Sequence, residues 1–342
     1  MRKILITGGA GYIGSTVASA CADAGMQPII LDDLSTGLRA FAERYSFYEG
    51  DYGDVELVRR ILDEHPDLHA VVHCAASIVV PESMSYPLEY YENNVSKVPG
   101  FLAELLRGHC HRVLFSSTAA MYDPGDGLVV TEESPVTPGS PYAASKVMVE
   151  RILADTARAS DLRAISLRYF NPIGADPAGR TGIQVERPTH VLGKMMEALA
   201  SNTPFTVTGT SWPTRDGSGL RDYVHVWDLA LAHVAAIRNF DHVFHGETAS
   251  PGYEIVNLGT GLGTTVFELA QAFQTVTGKS LILTTAAIRP GDVVGACASG
   301  TKALRLLGWR AERSLADGIA DALAWSQQLP AFLPSLTTFA DE

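Results

Sequence analysis

Cysteine is scarce: 342 residues contain four, Cys21, Cys74, Cys110 and Cys297, with no CxxC spacing among them. A disulfide framework and a cysteine-rich metal site are therefore not expected, and a reducing cytoplasm is the expected setting. Positive charge is also short. With 26 Lys and Arg against 38 Asp and Glu, the formal charge is −12, which argues against nucleic acid or a membrane surface as partner. No apolar run is long enough to span a bilayer. Residues 1–7, MRKILIT, pass directly from two basic residues into a strand-like run, so no secretory leader is expected. Internal repeats and low-complexity linkers are lacking too. What remains is an ordinary globular composition, 46% hydrophobic and 19% charged, with enough chain for a main core and a smaller second unit.

Short β-branched runs occur at 3–7, 28–32, 70–74, 112–117 and 163–170. They alternate with segments of helical periodicity, the pattern of a doubly wound α/β parallel sheet. Long helices are predicted over 85–107 and 142–160, and shorter ones near 190–201, 227–239, 264–277 and 313–326. The Gly/Pro-rich stretch NPIGADPAGRTG (171–182) ends the regular alternation. Residues 1–170 are therefore expected to form mainly one unit and 171–342 mainly a smaller C-terminal lobe, with segments of the lobe returning to the main sheet.

The run KILITGGAGYIGS sets Gly8, Gly11 and Gly14 directly after the first strand and before a small-residue helix. Glycines there let strand, turn and helix pack closely, while amides at the helix start receive a pyrophosphate. That is a Rossmann-like dinucleotide site. Asp32, at the end of the second strand, suits the free ribose hydroxyls of NAD, because a 2′-phosphate would meet like charge. Asp51 and Tyr52, after the next short strand, are candidate adenine-side contacts.

Tyr142 and Lys146 stand four apart near the start of a helix, on one face. Lys146 can hold the nicotinamide ribose and stabilise phenolate on Tyr142, which can then remove a hydroxyl proton. Thr118, in VLFSSTAAMY (113–122), sits at the C-terminal edge of a buried strand, where it can orient or relay that proton.

Taken together, TGGAGYIGS, LDDLSTG, HCAASIVVPES, PLEYYENNV, FSSTAA, SPYAASK, LRYFNPIGA, RDYVHVWDLA and RPGD resemble the UDP-glucose 4-epimerase family of extended short-chain dehydrogenase/reductases. The resemblance spans almost the whole chain. It implies a catalytic set of Thr118, Tyr142 and Lys146. It implies NAD held by Gly8, Gly11, Tyr12, Ile13, Gly14, Asp32, Asp33, Asp51, Tyr52, Cys74, Ala75, Ala76, Asn93, Ser116 and Tyr169 together with Tyr142 and Lys146. It implies a UDP-sugar contacted by Thr118, Tyr142, Asn171, His190, Arg221, Arg289, Asp292 and Ala296, with Tyr169 and Phe170 flanking the pocket. It also implies a homodimer built by paired helices, and no metal. In the family reaction tyrosine takes the C4 hydroxyl proton while NAD takes the C4 hydride; the 4-keto sugar turns, and hydride returns to its opposite face.

Related 4,6-dehydratases usually carry an acidic pair after the active hydroxyl residue. Here stand Ala119 and Ala120, which supply neither acid nor base for elimination. His225 and Asp228 are read as supports of a strand-to-helix turn. Departures from the family pattern are Ile78, where a polar or basic residue near the diphosphate is common; Pro81 for a glycine; and Tyr122–Asp123 for Tyr-Gly, a change expected to reshape the rim. Ala296 falls where side-chain size governs room for a C2 N-acetyl group, so N-acetylglucosamine and N-acetylgalactosamine nucleotides are included in the expected range. The alternatives are a C4 epimerase for another modified UDP-hexose, such as a uronic acid, and a non-catalytic NAD-binding regulatory protein.

Overall fold

The computed structural model describes residues 1–123, 125–185, 190–245, 252–288 and 293–333. Its strands are β1 (Lys3–Thr7), β2 (Gln27–Asp32), β3 (Ser46–Glu49), β4 (Leu68–His73), β5 (Arg112–Thr118), β6 (Val129–Val130), β7 (Arg163–Tyr169), β8 (Asn171–Ile173), β9 (Phe205–Thr208), β10 (Leu220–His225), β11 (Tyr253–Leu258), β12 (Gly263–Thr265), β13 (Leu283–Ala286) and β14 (Cys297–Ala298). Seven form one sheet in the order β11-β7-β5-β4-β1-β2-β3, every neighbouring pair parallel. Strand order reverses between β1 and β4, so a crevice opens over their C-terminal ends.

A sheet covered on both faces requires apolar residues at every position, which is why its strands read as continuous runs. Ile4, Ile6, Ile30, Val72, Leu114 and Ile165 pack toward helices Tyr12–Asp23 and Val226–Arg238. Leu5, Ile29, Val71, Val113 and Phe115 pack toward helices Val55–Glu64, Val98–Arg107 and Pro141–Ala159.

The helix predicted over 85–107 is divided. Helix Val80–Ser85 stops at Tyr86, because the residue before Pro87 is disfavoured in helical backbone. From Pro87 the chain winds to Arg107 with a π-helical turn over Glu92–Ser96. Pro99 lacks an N–H and its ring would crowd the carbonyl four residues back, so a wider turn just before it is the accommodating geometry.

The second half of the chain supplies β10 with β8 and β12 beside it, the parallel pair β9–β13, and β14, which pairs with β6. Leu192, Met195, Phe205, Tyr223, Leu269, Phe273 and Ile319 form its core. It also gives β11 and helix Val226–Arg238 to the main sheet's packing.

Candidate active site

The crevice is walled by the glycine turn after β1. Gly8 has φ +69° and a Cβ there would lie 2.6 Å from the Ala75 nitrogen; a Cβ on Gly14 would lie 2.2 Å from the Gly8 oxygen. Gly11 precedes helix Tyr12–Asp23, whose start has no side-chain cap, leaving first-turn amides for an external acceptor. Tyr12 reaches across to donate to the Gly174 carbonyl at 2.7 Å, and Ile13 is half-buried beside it. Asp32 is buried and accepts from Ala10 N at 2.9 Å and Leu34 N at 2.8 Å. Its pKa is raised by burial, against the pull of those two amides. Each oxygen retains a lone pair for a ribose hydroxyl. Asp33 is exposed and accepts from the Ser35 amide and hydroxyl.

At the end of β5, Thr118 lies beside Tyr142, close enough to lower its pKa, and its Oγ1 accepts from Ala120 N at 3.1 Å. Lys146 is buried, donates to the Ser116 carbonyl at 2.8 Å, and holds its Nζ 4.8 Å from the Phe115 ring centre and 6.0 Å from that of Tyr142. Burial raises the Tyr142 pKa, opposed by Thr118. It lowers Lys146 to about 8, against the pull of Cys74 and Glu150. Cys74 is pushed up to about 11 by burial, with Ser116 and Tyr169 close enough to pull the other way. The Ser116 and Tyr169 hydroxyls are themselves in contact. These groups meet where β4, β5 and β7 end.

The π-helical turn supplies residues that sequence reasoning missed. Asn94 accepts from Ser77 N at 2.8 Å and donates to the Ser77 carbonyl at 2.9 Å and Ser145 Oγ at 3.1 Å. It thereby ties the segment carrying Ala75 and Ala76 to the helix carrying Tyr142. Lys97 bridges Asp51 Oδ2 (2.5 Å) and Asn93 Oδ1 (2.8 Å). Tyr52 is turned inward: its hydroxyl donates to the Asn93 carbonyl and its ring packs edge-on against His73. The Tyr52 side chain is therefore part of the core, which leaves its backbone to face an adenine. Spacing gave no signal for Asn94 or for the Lys97–Asp51 pair, since these partners lie 17 to 51 residues away.

In the second half of the chain, Asn171 is exposed at the start of β8. Among the described residues buried Nε2 of His190 has no hydrogen-bond partner, while its Nδ1 accepts from Gly193 N at 3.2 Å; burial lowers the ring to about 4. Arg221 donates to the carbonyls of Leu220 (2.7 Å), Val294 (3.1 Å) and Val293 (3.3 Å). A Cβ on Gly295 would lie 2.3 Å from its Nη1, and Ala296 follows, half-exposed. Arg289 and Asp292 lie outside the described residues. His225 caps its helix through Trp227 N at 3.0 Å, and Asp228 accepts from Glu312 N and Arg313 N. Ile78 is 60% exposed. Tyr122 is buried and donates to Asn257 Oδ1 at 2.7 Å, while Asp123, the residue in place of a glycine, is exposed.

A family model described as the NAD dependent epimerase/dehydratase family matches residues 4–259. A UDP-glucose 4-epimerase of Azospirillum brasilense is 42% identical over 96% of this chain and 92% of its own. The chain belongs to the UDP-glucose 4-epimerase family. A solved family structure from Stenotrophomonas maltophila, with bound NAD and formylated UDP-arabinopyranose, superposes with TM-score 0.90 at 33% identity, over 97% of this chain and 99% of that one. The Bifidobacterium longum UDP-glucose 4-epimerase in complex with NAD+ and UDP gives 0.86 at 31% identity, over 97% and 100%. The family's cofactor fits the residues present: the Gly8 and Gly14 positions leave no space for side chains, the helix start is uncapped, and Asp32 closes the far end.

Proposed function

We infer that this protein interconverts UDP-glucose and UDP-galactose at C4 with NAD as resident cofactor. The observation that carries the reading is the convergence of Thr118, Tyr142 and Lys146 at the end of β5, beside the glycine turn and followed by two alanines. Bound NAD supplies a reversible hydride acceptor for C4. Tyr142 takes the hydroxyl proton, and Thr118 orients the hydroxyl toward it. Lys146 holds positive charge where phenolate forms, favouring it electrostatically. Ala119 and Ala120 offer no group to protonate a leaving hydroxyl.

Gly8, Gly11, Tyr12, Ile13 and Gly14 receive the diphosphate of NAD, and Asp32 its ribose. Asn171, His190, Arg221, Arg289 and Asp292 receive the UDP-sugar, in a lobe made mainly of residues 171–342. The small Ala296 side chain supports acceptance of C2 N-acetylated sugars. The functional unit is a homodimer in the cytoplasm. Met84, Leu88 and Met148, 61%, 80% and 45% exposed on helices Val80–Ser85, Pro87–Tyr91 and Pro141–Ala159, support a second copy there. The four cysteines are free thiols, and among the described residues no helix is long and apolar enough to cross a membrane.

The test is incubation of purified protein with UDP-galactose and separation of the sugar nucleotides. Conversion to an equilibrium mixture with UDP-glucose is expected. Turnover of a UDP-uronic acid alone would replace this substrate assignment, and no turnover of any UDP-hexose would leave the regulatory reading.

A further inference from the structure

Three consecutive residues of β5 each face one residue of helix Pro141–Ala159, and those three are spaced by four. Thr118 lies beside Tyr142, the Ser116 carbonyl accepts from Lys146 at 2.8 Å, and Ser117 Oγ donates to Glu150 Oε1 at 2.5 Å. The first two belong to the reaction, whereas the third has no part in it. Glu150 is 5% and Arg168 4% exposed. Arg168 Nε donates to Glu150 Oε1 at 2.9 Å and Nη2 to Oε2 at 2.5 Å. Its Nη1 donates to Tyr122 Oη at 2.8 Å, and Tyr122 passes the chain of bonds to Asn257 on β11. Arg168 lies opposite Ser117 in the β5–β7 register.

Burying such a pair gives little stability over well-packed apolar side chains. What a two-pronged guanidinium–carboxylate pair does provide is a fixed orientation and depth. We propose that Glu150 is a positioning residue for epimerisation: gripped by Ser117 and Arg168, it sets how far the helix slides and turns against β5, and so where Tyr142 meets Thr118 and Lys146. This rests on the reading of Tyr142 as the base. The titratable and charged groups facing Glu150 are Arg168 from β7, Tyr122 after β5, Tyr253 from β11 and Lys146 on its own helix. Tyr142 faces Lys146, Tyr90 and Tyr169.

The experiment compares Ser117→Ala, Ser117→Thr and the double variant Glu150→Met with Arg168→Met. The readouts are melting temperature, kcat and KM against pH, and the phenolate absorbance titration of Tyr142, taken as the difference from Tyr142→Phe. The double variant is expected to fold, keep KM within about two-fold, and lose about 10-fold or more in kcat, since misplacement of about 1 Å costs about 100-fold. Its Tyr142 titration should move to higher pH. Ser117→Ala should show a smaller loss of the same kind, and Ser117→Thr should recover it. A folded double variant with wild-type kcat and wild-type titration overturns the proposal. Should that variant not fold, Ser117→Ala decides alone: unchanged kcat and titration overturn the proposal. A wild type that turns over no UDP-hexose removes the parent reading instead, and the titration then still decides whether Glu150 positions Tyr142.

Discussion

In the proposed reaction Tyr142 carries the proton chemistry with a single oxygen. Tyr142→Phe is expected to retain fold and cofactor while epimerisation falls about 100-fold or more; Thr118→Ser should keep much of the activity and Thr118→Ala lose most of it. Steady-state rates beside a circular-dichroism melt check both. Lys146 titrates in the opposite direction from an acid. Its folded pKa of about 8 lies below the free-lysine value of 10.5, so between them the unfolded chain holds a proton that the cofactor-free native state has released. Stability therefore rises with pH across that window, and the cost of burying charge is fully present below about 8. Lys146→Met should accordingly raise the melting temperature of cofactor-free protein at pH 7, and that gain should shrink by pH 10. Ala296→Tyr should lower kcat/KM for UDP-N-acetylglucosamine more than for UDP-glucose; equal losses would remove it as a size gate. Tyr142, Lys146 and Asp32 were legible because each sits at a fixed short distance from a strand end or from one another. Glu150 and Arg168 were not, because an acidic residue on a helix and an arginine in a strand read as surface groups until the fold buries them against each other.

Among the elements, the π-helical turn over Glu92–Ser96 was the least legible, since the apolar spacing around it fits an ordinary helix equally well. Its widened backbone lets Asn94 serve the Ser77 amide, the Ser77 carbonyl and Ser145 at once. Asn94→Ala leaves buried groups unsatisfied, at about 1–3 kcal/mol each. Urea unfolding should show a loss in that range, and the variant should release NAD more readily on dilution, followed by fluorescence. The strands of the main sheet were readable for the converse reason: burial on both faces demands unbroken apolar runs. Outside the main sheet, β9 and β13 pair over a separation of about 80 residues, with five of their eight residues exposed, and so offer no such run.

Across the whole molecule, buried histidines link the fold to acidity. Burial, with Lys146 nearby, drives His73 to about 3, and burial drives His190 and His233 to about 4, all from 6.5. As pH falls below 6.5 the unfolded chain takes up protons that these rings refuse, so stability falls progressively toward pH 3–4. Melting temperatures are expected to drop steadily from pH 7 to pH 4.5, and His233→Phe should flatten that slope; an unchanged slope would exclude His233 as a source of the linkage. The change in composition near residue 170 does not bound the main sheet, because β11 lies well beyond it and pairs with β7 along its length. That pairing sets a timetable during synthesis. About 80 residues must follow β7 before β11 exists, roughly 4–16 s at about 5–20 residues per second. Throughout that interval the nascent sheet has an unpaired hydrophobic edge, so a ribosome stalled there presents a strand that chaperones, or a neighbouring nascent chain, can capture.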